Sequence, residues 1–184
     1  YHGQPMVEWA YRLLAPHCER TFVSVRAAQA ADEVRATLPQ IVDGAVGAGP
    51  IAGIVAAQTA HPDAAWLVVA CDMPFLSEAT LRHLLARRGA QPITAYRSAH
   101  DGLPEPLCAI YGRACAAPMR ARRTRGELEA SRRLEGVRVA EVSPVTLAAY
   151  DPDGLMFVNV NTPHDYERAK EVLEERSKTS RDRI

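Results

Sequence analysis

Short runs of apolar residues alternate along the chain with longer stretches in which apolar positions recur every three or four residues. The short runs predict buried strands, and the periodic stretches predict helices with one face on a core. Strands are expected at 21–25, 40–42, 67–70, 93–96, 107–111, 137–142 and 157–160. Helices are expected at 5–14, 30–37, 51–60, 77–88, 113–134 (in two pieces) and 163–175. Strands and helices in this order predict an α/β fold, a mostly parallel sheet with helices on both faces.

Length and composition narrow the picture to one ordinary globular domain. The chain has 184 residues, of which 47% are hydrophobic and 24% charged, and we expect a single domain over 1–176 and a flexible tail over 177–184. The formal net charge is zero, so bulk charge gives no reason to expect nucleic acid or an anionic membrane as a partner. No apolar run approaches the roughly 20 residues that a membrane-spanning helix needs.

Cysteine usage points to the cytoplasm. No two of the four cysteines form a Cys-x-x-Cys pair, and several lie in apolar surroundings, so we interpret them as reduced thiols rather than a disulfide framework or a zinc site. The first residues resemble neither a signal peptide nor a transit peptide. The cysteines are Cys18, Cys71, Cys108 and Cys115.

The most informative polar residue is Asp72, which directly follows the apolar run 67–70. Pro74 lacks the N–H that a sheet ladder needs, so the strand should stop here and leave a carboxylate at its carboxyl end. Ligands of open α/β sheets bind at that edge. A lone carboxylate there suits Mg²⁺ carrying the phosphates of a nucleotide. The alternative is an aspartate that merely caps the turn before the helix near Ser77.

Two further segments place polar or flexible residues where predicted strands end. The turn Gly49–Gly53 opens a helix and lets backbone approach a ligand closely, although an ordinary loop-to-helix turn has the same pattern. Asn159 and Asn161 are two positions apart, so on a strand both amides would reach one site. Alternatively, Asn161 or Thr162 caps the helix that begins at Pro163.

Two charged segments have a plain structural interpretation beside a functional one. The segment 100–106 could hold an acceptor substrate, but a solvated loop is the simpler interpretation. A dense basic stretch could dock a phosphorylated substrate or RNA, because arginine forks bind phosphate, or it could be a solvated helix face. The arginines of that stretch are Arg120, Arg122, Arg123, Arg125, Arg132 and Arg133.

Four segments, taken together, resemble a known family. They are Gly49-Pro50-Ile51-Ala52-Gly53, Cys71-Asp72-Met73-Pro74-Phe75-Leu76, Glu105-Pro106-Leu107-Cys108-Ala109-Ile110-Tyr111 and Asn159-Val160-Asn161-Thr162-Pro163. In order and spacing they are similar to the molybdenum cofactor guanylyltransferases, the MobA-like nucleotidyltransferases. The likeness extends from Tyr1 to the helix that follows Asn161.

The resemblance implies a three-layer α/β/α nucleotidyltransferase fold of the Rossmann-like kind. It also implies an enzyme that uses Mg²⁺ to transfer GMP from GTP to the terminal phosphate of molybdopterin and releases pyrophosphate. Asp72 matches the family's Mg²⁺-binding aspartate and is therefore the candidate catalytic and metal-binding residue. A weak oligomer, or a partner protein in molybdoenzyme maturation, stays open.

The resemblance carries over six further residues besides Asp72. On the nucleotide side of the family's site, the matching residues are Asp43, Gly49 and Gly53. Arg26 takes a position after the second strand that is near the nucleotide in the family. Asn159 and Asn161 match an asparagine pair close to metal and substrate.

One departure from the family pattern is large. The family begins with a strand and a glycine-rich loop, Leu-Ala-Gly-Gly-x-Ser-x-Arg-Met-Gly-x-Asp-Lys, whose lysine neutralises the triphosphate, and this sequence contains no such motif. We therefore expect the sequence to start inside the domain, to bind nucleotide poorly by itself and to leave sheet backbone unpaired where a central strand would lie.

Two other functions fit the same sequence. A sister enzyme of the same fold would transfer CMP to molybdopterin, or a nucleotide to a sugar or alcohol phosphate, since the choice of base lies in loops outside the four motifs. A non-catalytic, degenerate transferase domain would instead bind a partner through the arginine-rich stretch, and the missing glycine-rich motif is its best support.

Overall fold

The computed structural model describes residues 3–44, 49–98, 102–125, 139–142 and 151–181. Its strands are β1 (Val23–Arg26), β2 (Gln40–Asp43), β3 (Trp66–Val69), β4 (Ile93–Arg97), β5 (Pro104–Tyr111) and β6 (Val139–Val142). Its α-helices are α1 (Met6–Leu14), α2 (Gly49–Ala60), α3 (Glu78–Ala86), α4 (Ala116–Thr124) and α5 (Pro163–Arg181). None of these helices is both long enough and apolar enough to cross a membrane.

The strands form a mostly parallel arrangement with one reversed member. Strands β1 and β2 pair in parallel, and a second sheet has the order β3-β5-β4-β6. In that sheet β5 is antiparallel to both of its neighbours, while β4 and β6 are parallel. Strands β3 and β4 are both antiparallel to β5, and β6 is parallel to β4, so β3, β4 and β6 run in one direction.

Helices cover both faces of the four-stranded sheet, which confirms the three-layer α/β/α arrangement. On one face, α2 and α4 contribute Ile54 and Met119 to a cluster that includes Ile93 and Tyr111. On the other face, α3 and α1 pack against the opposite side chains of the same strands, through residues such as Leu84. Alternate residues of each strand reach opposite faces, so one sheet supports two cores.

A cavity of about 630 Å³ lies between β1 and β3. Its walls come from both strands, with α1 and α2 closing the sides. Strand β1 pairs only with β2, and β3 pairs only with β5, so the described residues place no strand between them. The expectation of unpaired sheet backbone refers to this position between β1 and β3, and it stays a prediction.

The predicted helix over 30–37 is wrong, because side chains satisfy its backbone in another way. The Gln40 amide donates to the carbonyls of Ala30 and Arg35 at 3.0 and 2.8 Å, and the Asp32 carboxylate accepts the N–H of Arg35. These bonds compete with an α-helical ladder. The structure has two single-turn 3₁₀ helices instead, at Ala27–Gln29 and Arg35–Thr37.

The predicted strand over 157–160 is also wrong. The Asp151 carboxylate accepts the N–H groups of Leu155 and Met156 at 2.9 and 3.0 Å and folds the preceding segment into a turn. The chain then continues to α5 as an extended segment that belongs to no sheet. The hydrogen bond from the Val160 N–H to the Asp72 carbonyl connects this segment to the turn after β3.

Helix α5 continues to Arg181, past the predicted end at 175 and into the segment 177–184 predicted to be a flexible tail. Arg176 anchors this extension, because its guanidinium bonds to Asp153 and lies over the Phe75 ring. Residues 182–184 lie outside the described residues, as do 126–138, where the second piece of the predicted helix 113–134 would fall.

Candidate functional site

Polar residues at or near the ends of the strands line the cavity between β1 and β3. Two carboxylates, two arginines and the glycine that opens α2 line it there. Strand ends that are distant in sequence come together because the strands of such a sheet share an edge. These residues are Asp43, Asp72, Arg26, Arg35 and Gly49.

Asp72 lies three residues beyond the end of β3, in a turn that the main chain holds on two sides. The Ala70 N–H donates to the Leu107 carbonyl, and the Asp72 carbonyl accepts the Val160 N–H, both at 2.9 Å. The side-chain Oδ1 of Asp72 is buried and has no hydrogen-bond partner among the described residues. Burial removes water from this carboxylate and raises its pKa.

The structure rejects a capping role for Asp72. Helix α3 begins at Glu78, and its N-cap is Ser77, whose Oγ accepts the Thr80 N–H at 3.2 Å. A buried carboxylate oxygen without a partner is costly unless something binds it. The side chain of Asp72 is therefore available to a ligand rather than committed to the fold.

Asp43 is the second carboxylate of the cavity. It is the last residue of β2, and the parallel register places it beside Arg26 of β1. Its Oδ1 is also buried without a hydrogen-bond partner among the described residues. Two strand ends thus bring two unsatisfied carboxylate oxygens to one cavity.

The oxygen donors of the cavity are of the kind that Mg²⁺ prefers. In the described part of the chain, no group of three or more histidine, cysteine or acidic side chains is arranged as a metal site. Mg²⁺ does not need such a group, since it is usually bound by one or two carboxylates together with substrate phosphates and water. The buried, unpartnered oxygens of Asp72 and Asp43 fit that requirement.

The two glycines of the predicted turn have different environments. Gly49 has a φ of +57°, a backbone conformation that residues with a Cβ rarely adopt, and it is the first residue of α2. Gly53 lies within α2 and packs on β1, where a Cβ would come within 2.3 Å of the Ser24 Oγ. Both glycines line the cavity.

The two asparagines flank Val160, which bonds to the Asp72 carbonyl, but neither of them lines the larger cavity. Asn159 and Asn161 are exposed on either side of the buried Val160, so they keep the alternation expected of them although no strand forms. Asn159 lines a smaller neighbouring cavity. Thr162 caps α5 as the sequence predicts: its Oγ accepts the Asp165 N–H at 3.2 Å, and the Asp165 carboxylate accepts the Thr162 N–H.

Comparison with known proteins decides the family. Residues 1–142 match the MobA-like NTP transferase domain. The chain belongs to the MobA-like NTP transferase family. It is thus a nucleotidyltransferase, and the resemblance seen in the four motifs is confirmed.

Relatives of this family differ in how much of their length the chain spans. It is 36% identical over 112 residues to a molybdenum cofactor biosynthesis bifunctional protein of Synechocystis; the alignment covers 60% of this chain but 32% of that protein, about a third of its length. It is 32% identical over 148 residues to a probable molybdenum cofactor guanylyltransferase of Pelotomaculum thermopropionicum, covering 80% of this chain and 71% of that protein.

A solved structure of the same kind supports the fold. The molybdopterin-guanine dinucleotide biosynthesis protein A of Archaeoglobus fulgidus superposes with a TM-score of 0.77 at 27% sequence identity. The match covers 94% of this chain and 87% of that one. The three-layer nucleotidyltransferase fold expected from the sequence is thereby confirmed.

Sequence reasoning missed Arg35. It assigned this residue to a helix, whereas the structure places it on the cavity wall, in a salt bridge to Asp32 at 3.2 Å. Arg26 lines the same cavity, and its guanidinium Nε donates to the Gln29 side chain at 3.3 Å. No spacing in the sequence identifies Arg35, because its segment is redirected by the Gln40 side-chain amide, which donates to the Arg35 carbonyl only in the folded chain.

The structure describes part of the arginine-rich stretch. Arg120 and Arg125 are exposed at α4, as a solvated helix face requires. Arg132 and Arg133 lie outside the described residues, and so do His100 and Asp101 of the predicted acceptor segment. The rest of that segment, from Pro104, is the beginning of β5 rather than a loop.

Proposed function

We propose that this member of the family transfers GMP from GTP to molybdopterin and releases pyrophosphate. The observation that carries the proposal is the pair of buried, unpartnered carboxylate oxygens of Asp72 and Asp43 in one cavity. Relatives named molybdenum cofactor guanylyltransferases support the choice of nucleotide and acceptor.

In this proposal Asp72 and Asp43 hold Mg²⁺ together with the phosphates of GTP. The metal supplies positive charge that offsets the charge building up on the phosphate oxygens. The raised pKa of Asp72 agrees with a carboxylate that is unsatisfied until a cation binds.

The remaining residues position the triphosphate. Gly49 has no Cβ, so the main chain at the start of α2 can approach the nucleotide closely. The first N–H groups of a helix attract anions, and the guanidinium groups of Arg26 and Arg35 provide positive charge on the same cavity wall. Asn159 and Asn161 serve the acceptor side.

The reaction needs no covalent enzyme intermediate. A terminal phosphate oxygen of the acceptor attacks the α-phosphorus of GTP, and a new P–O bond forms. The bond from the α-phosphorus to the bridging oxygen breaks, and its electron pair leaves with pyrophosphate. Positioning and charge stabilisation account for catalysis in reactions of this kind.

The test is pyrophosphate release by the purified protein with molybdopterin, Mg²⁺ and each of the four common nucleoside triphosphates in turn. We expect GTP to be preferred, and Asp72→Asn to lose about 100-fold or more in turnover, as when a main charge-stabilising group is removed. Asp63→Asn is the matched control, because Asp63 is 96% exposed. A folded Asp72→Asn with normal turnover would overturn the mechanism, and a preference for CTP would overturn the choice of base.

A further inference from the structure

The connection from β1 to β2 brings an arginine to the wall of the cavity that contains Asp72. Arg35 begins the 3₁₀ turn Arg35–Thr37 of this connection and lines the cavity together with Asp72 and Cys71. Burial raises the pKa of the Cys71 thiol most and the Asp72 charge raises it further, whereas the Arg35 charge lowers it. The positive charge of Arg35 therefore reaches the turn after β3, in which the candidate metal-binding residue lies.

One carboxylate oxygen of Asp32 holds Arg35 at two points. The Oδ1 atom accepts the main-chain N–H of Arg35 at 3.1 Å and lies 3.2 Å from the Arg35 Nη1. The main-chain bond, ahead of the Arg35 charge, holds the pKa of Asp32 below its ordinary value. A salt bridge between exposed side chains adds little to stability, so this contact is better suited to setting the direction of the guanidinium than to stabilising the fold.

The main chain of Arg35 is fixed from the neighbouring strand as well. The Gln40 amide donates to the Arg35 carbonyl at 2.8 Å and to the Ala30 carbonyl at 3.0 Å. Gln40 is the first residue of β2, and Asp43 is the last. Both main-chain polar groups of Arg35 are thus bonded, the N–H to Asp32 and the carbonyl to Gln40. The Arg35 side chain starts from a fixed point, and its contact with Asp32 limits where the guanidinium can move.

The Arg35 guanidinium keeps donors for a ligand. It has five N–H groups in a planar fork, and among the residues that the structure describes only Asp32 pairs with it. A carboxylate beside this fork would, by its charge alone, repel an anion. Asp32 is therefore unfavourable at a phosphate site unless the direction that it gives to Arg35 outweighs its charge.

We infer that Asp32 is a positioning residue that directs the Arg35 guanidinium toward a phosphate group bound in the cavity. Two parallel N–H groups of the fork match two phosphate oxygens, and a direction set in advance lowers the cost of ordering a long side chain on binding. The inference rests on the proposed function, in which a triphosphate occupies this cavity. The phosphate belongs either to the pyrophosphate portion of the nucleotide or to the end of molybdopterin, and two ligands distinguish these sources.

The experiment measures binding to the whole chain by calorimetry in the presence of Mg²⁺, with pyrophosphate and molybdopterin as separate ligands. Asp32→Asn removes the charge, while its side-chain oxygen can still accept the Arg35 N–H. Arg35→Gln removes the guanidinium and leaves the Asp32 carboxylate in place, and the double variant completes the cycle. Glu33→Gln is the matched control, because it removes the same charge from the next residue, which is also exposed. Thermal unfolding establishes that each variant is folded.

We expect Asp32→Asn to weaken the binding of one of the two ligands by about fivefold, and Arg35→Gln to weaken it by about tenfold. Glu33→Gln should change that binding by less than about twofold, because water and salt screen an exposed charge. In the Arg35→Gln background, Asp32→Asn should not weaken binding further, since the side chain that it directs is gone. Weaker pyrophosphate binding identifies the nucleotide as the source of the phosphate, and weaker molybdopterin binding identifies the acceptor.

The sign of the Asp32→Asn effect separates positioning from simple charge. Loss of a carboxylate that acts by its charge alone would leave anion binding unchanged or make it tighter. That result, a loss that persists without the Arg35 guanidinium, or no binding of either ligand by the wild type would overturn the inference. Pyrophosphate release is measured separately, so a protein that binds its ligand through Arg35 but transfers no GMP would count against the proposed function and not against Asp32.

Discussion

The main-chain N–H of Val160 donates a hydrogen bond to the carbonyl oxygen of Asp72 at 2.9 Å. This bond joins two motifs that are far apart in sequence, the Cys-Asp-Met-Pro turn and the Asn-x-Asn segment. Val160 is 7% exposed and packs in a cluster with Phe75 and Ala169. The segment that carries both asparagines is thus fixed to the residue proposed to bind the metal.

Val160→Pro should separate these two motifs, because proline has no N–H to donate. We expect about a tenfold or greater loss of turnover relative to Val160→Ala, since small displacements of positioning groups are costly in catalysis. Val160→Ala keeps the N–H and loses only apolar contacts, so it is the matched control. Steady-state pyrophosphate release checks the difference; equal turnover of the two folded variants would mean that the hydrogen bond does not position the site.

Asp72→Asn should be at least as stable as the wild type in the absence of Mg²⁺. Burial raises the pKa of Asp72 above its ordinary value of 3.8. At pH values between 3.8 and the raised pKa of the folded protein, the folded state keeps a proton that the unfolded state has released. The free energy of unfolding therefore falls as pH rises through this interval. Urea unfolding at pH 4 and pH 7 should therefore show the variant gaining stability over the wild type as pH rises.

Asp63→Asn again provides the comparison, because the exposed Asp63 carboxylate has little burial to relieve. If Asp72→Asn instead lost stability at pH 7 by more than at pH 4, the buried carboxylate would have a stabilising partner in the folded protein. That outcome would argue against a carboxylate reserved for a cation.

Gly53→Ala should destabilise the contact between α2 and β1. The new Cβ would lie 2.3 Å from the Ser24 Oγ and 3.2 Å from its Cβ, and overpacking of this kind usually costs about 1–3 kcal/mol. Ser24→Ala removes the nearer atom, so Gly53→Ala should cost less in that background. Urea unfolding of the four proteins of this double-mutant cycle measures the coupling, and an equal loss in both backgrounds would refute the contact.

His83 should make the protein less stable in mild acid. Burial, and to a smaller extent the nearby Arg87 charge, lower the pKa of His83 below 6.5. The Tyr96 hydroxyl donates to the Thr80 carbonyl at 2.7 Å, so its oxygen accepts from the His83 Nδ1 at 3.1 Å. As pH falls below 6.5 the unfolded chain binds a proton that the folded chain excludes, and the free energy of unfolding decreases.

The measurement is urea unfolding between pH 5 and pH 7.5. His83→Gln should make the decrease in the free energy of unfolding below pH 6.5 smaller. His164→Gln, at an exposed position of α5, should leave that decrease as in the wild type. An unchanged pH profile for His83→Gln would show that another group is responsible.

Local sequence determined most of the elements. Apolar periodicity predicts α1 and α3, and the apolar run before Asp72 predicts β3; all three are confirmed. These signals are local because a cap, a proline or an apolar period acts within one or two turns of chain. The position of Asp72 at a strand end belongs to the same class of information.

Tertiary structure decided everything that depends on which segments meet. The sequence carries no signal that β5 runs against its neighbours, that Gln40 removes the helix expected over 30–37, or that Val160 bonds to Asp72 instead of joining a sheet. Each outcome depends on hydrogen-bonding groups that find partners outside their own element, and those partners exist only after the chain has folded. For the same reason the sequence could propose Asp43 and Asp72 separately, while only the packing of β1, β2 and β3 around one cavity brings their carboxylates to a common site.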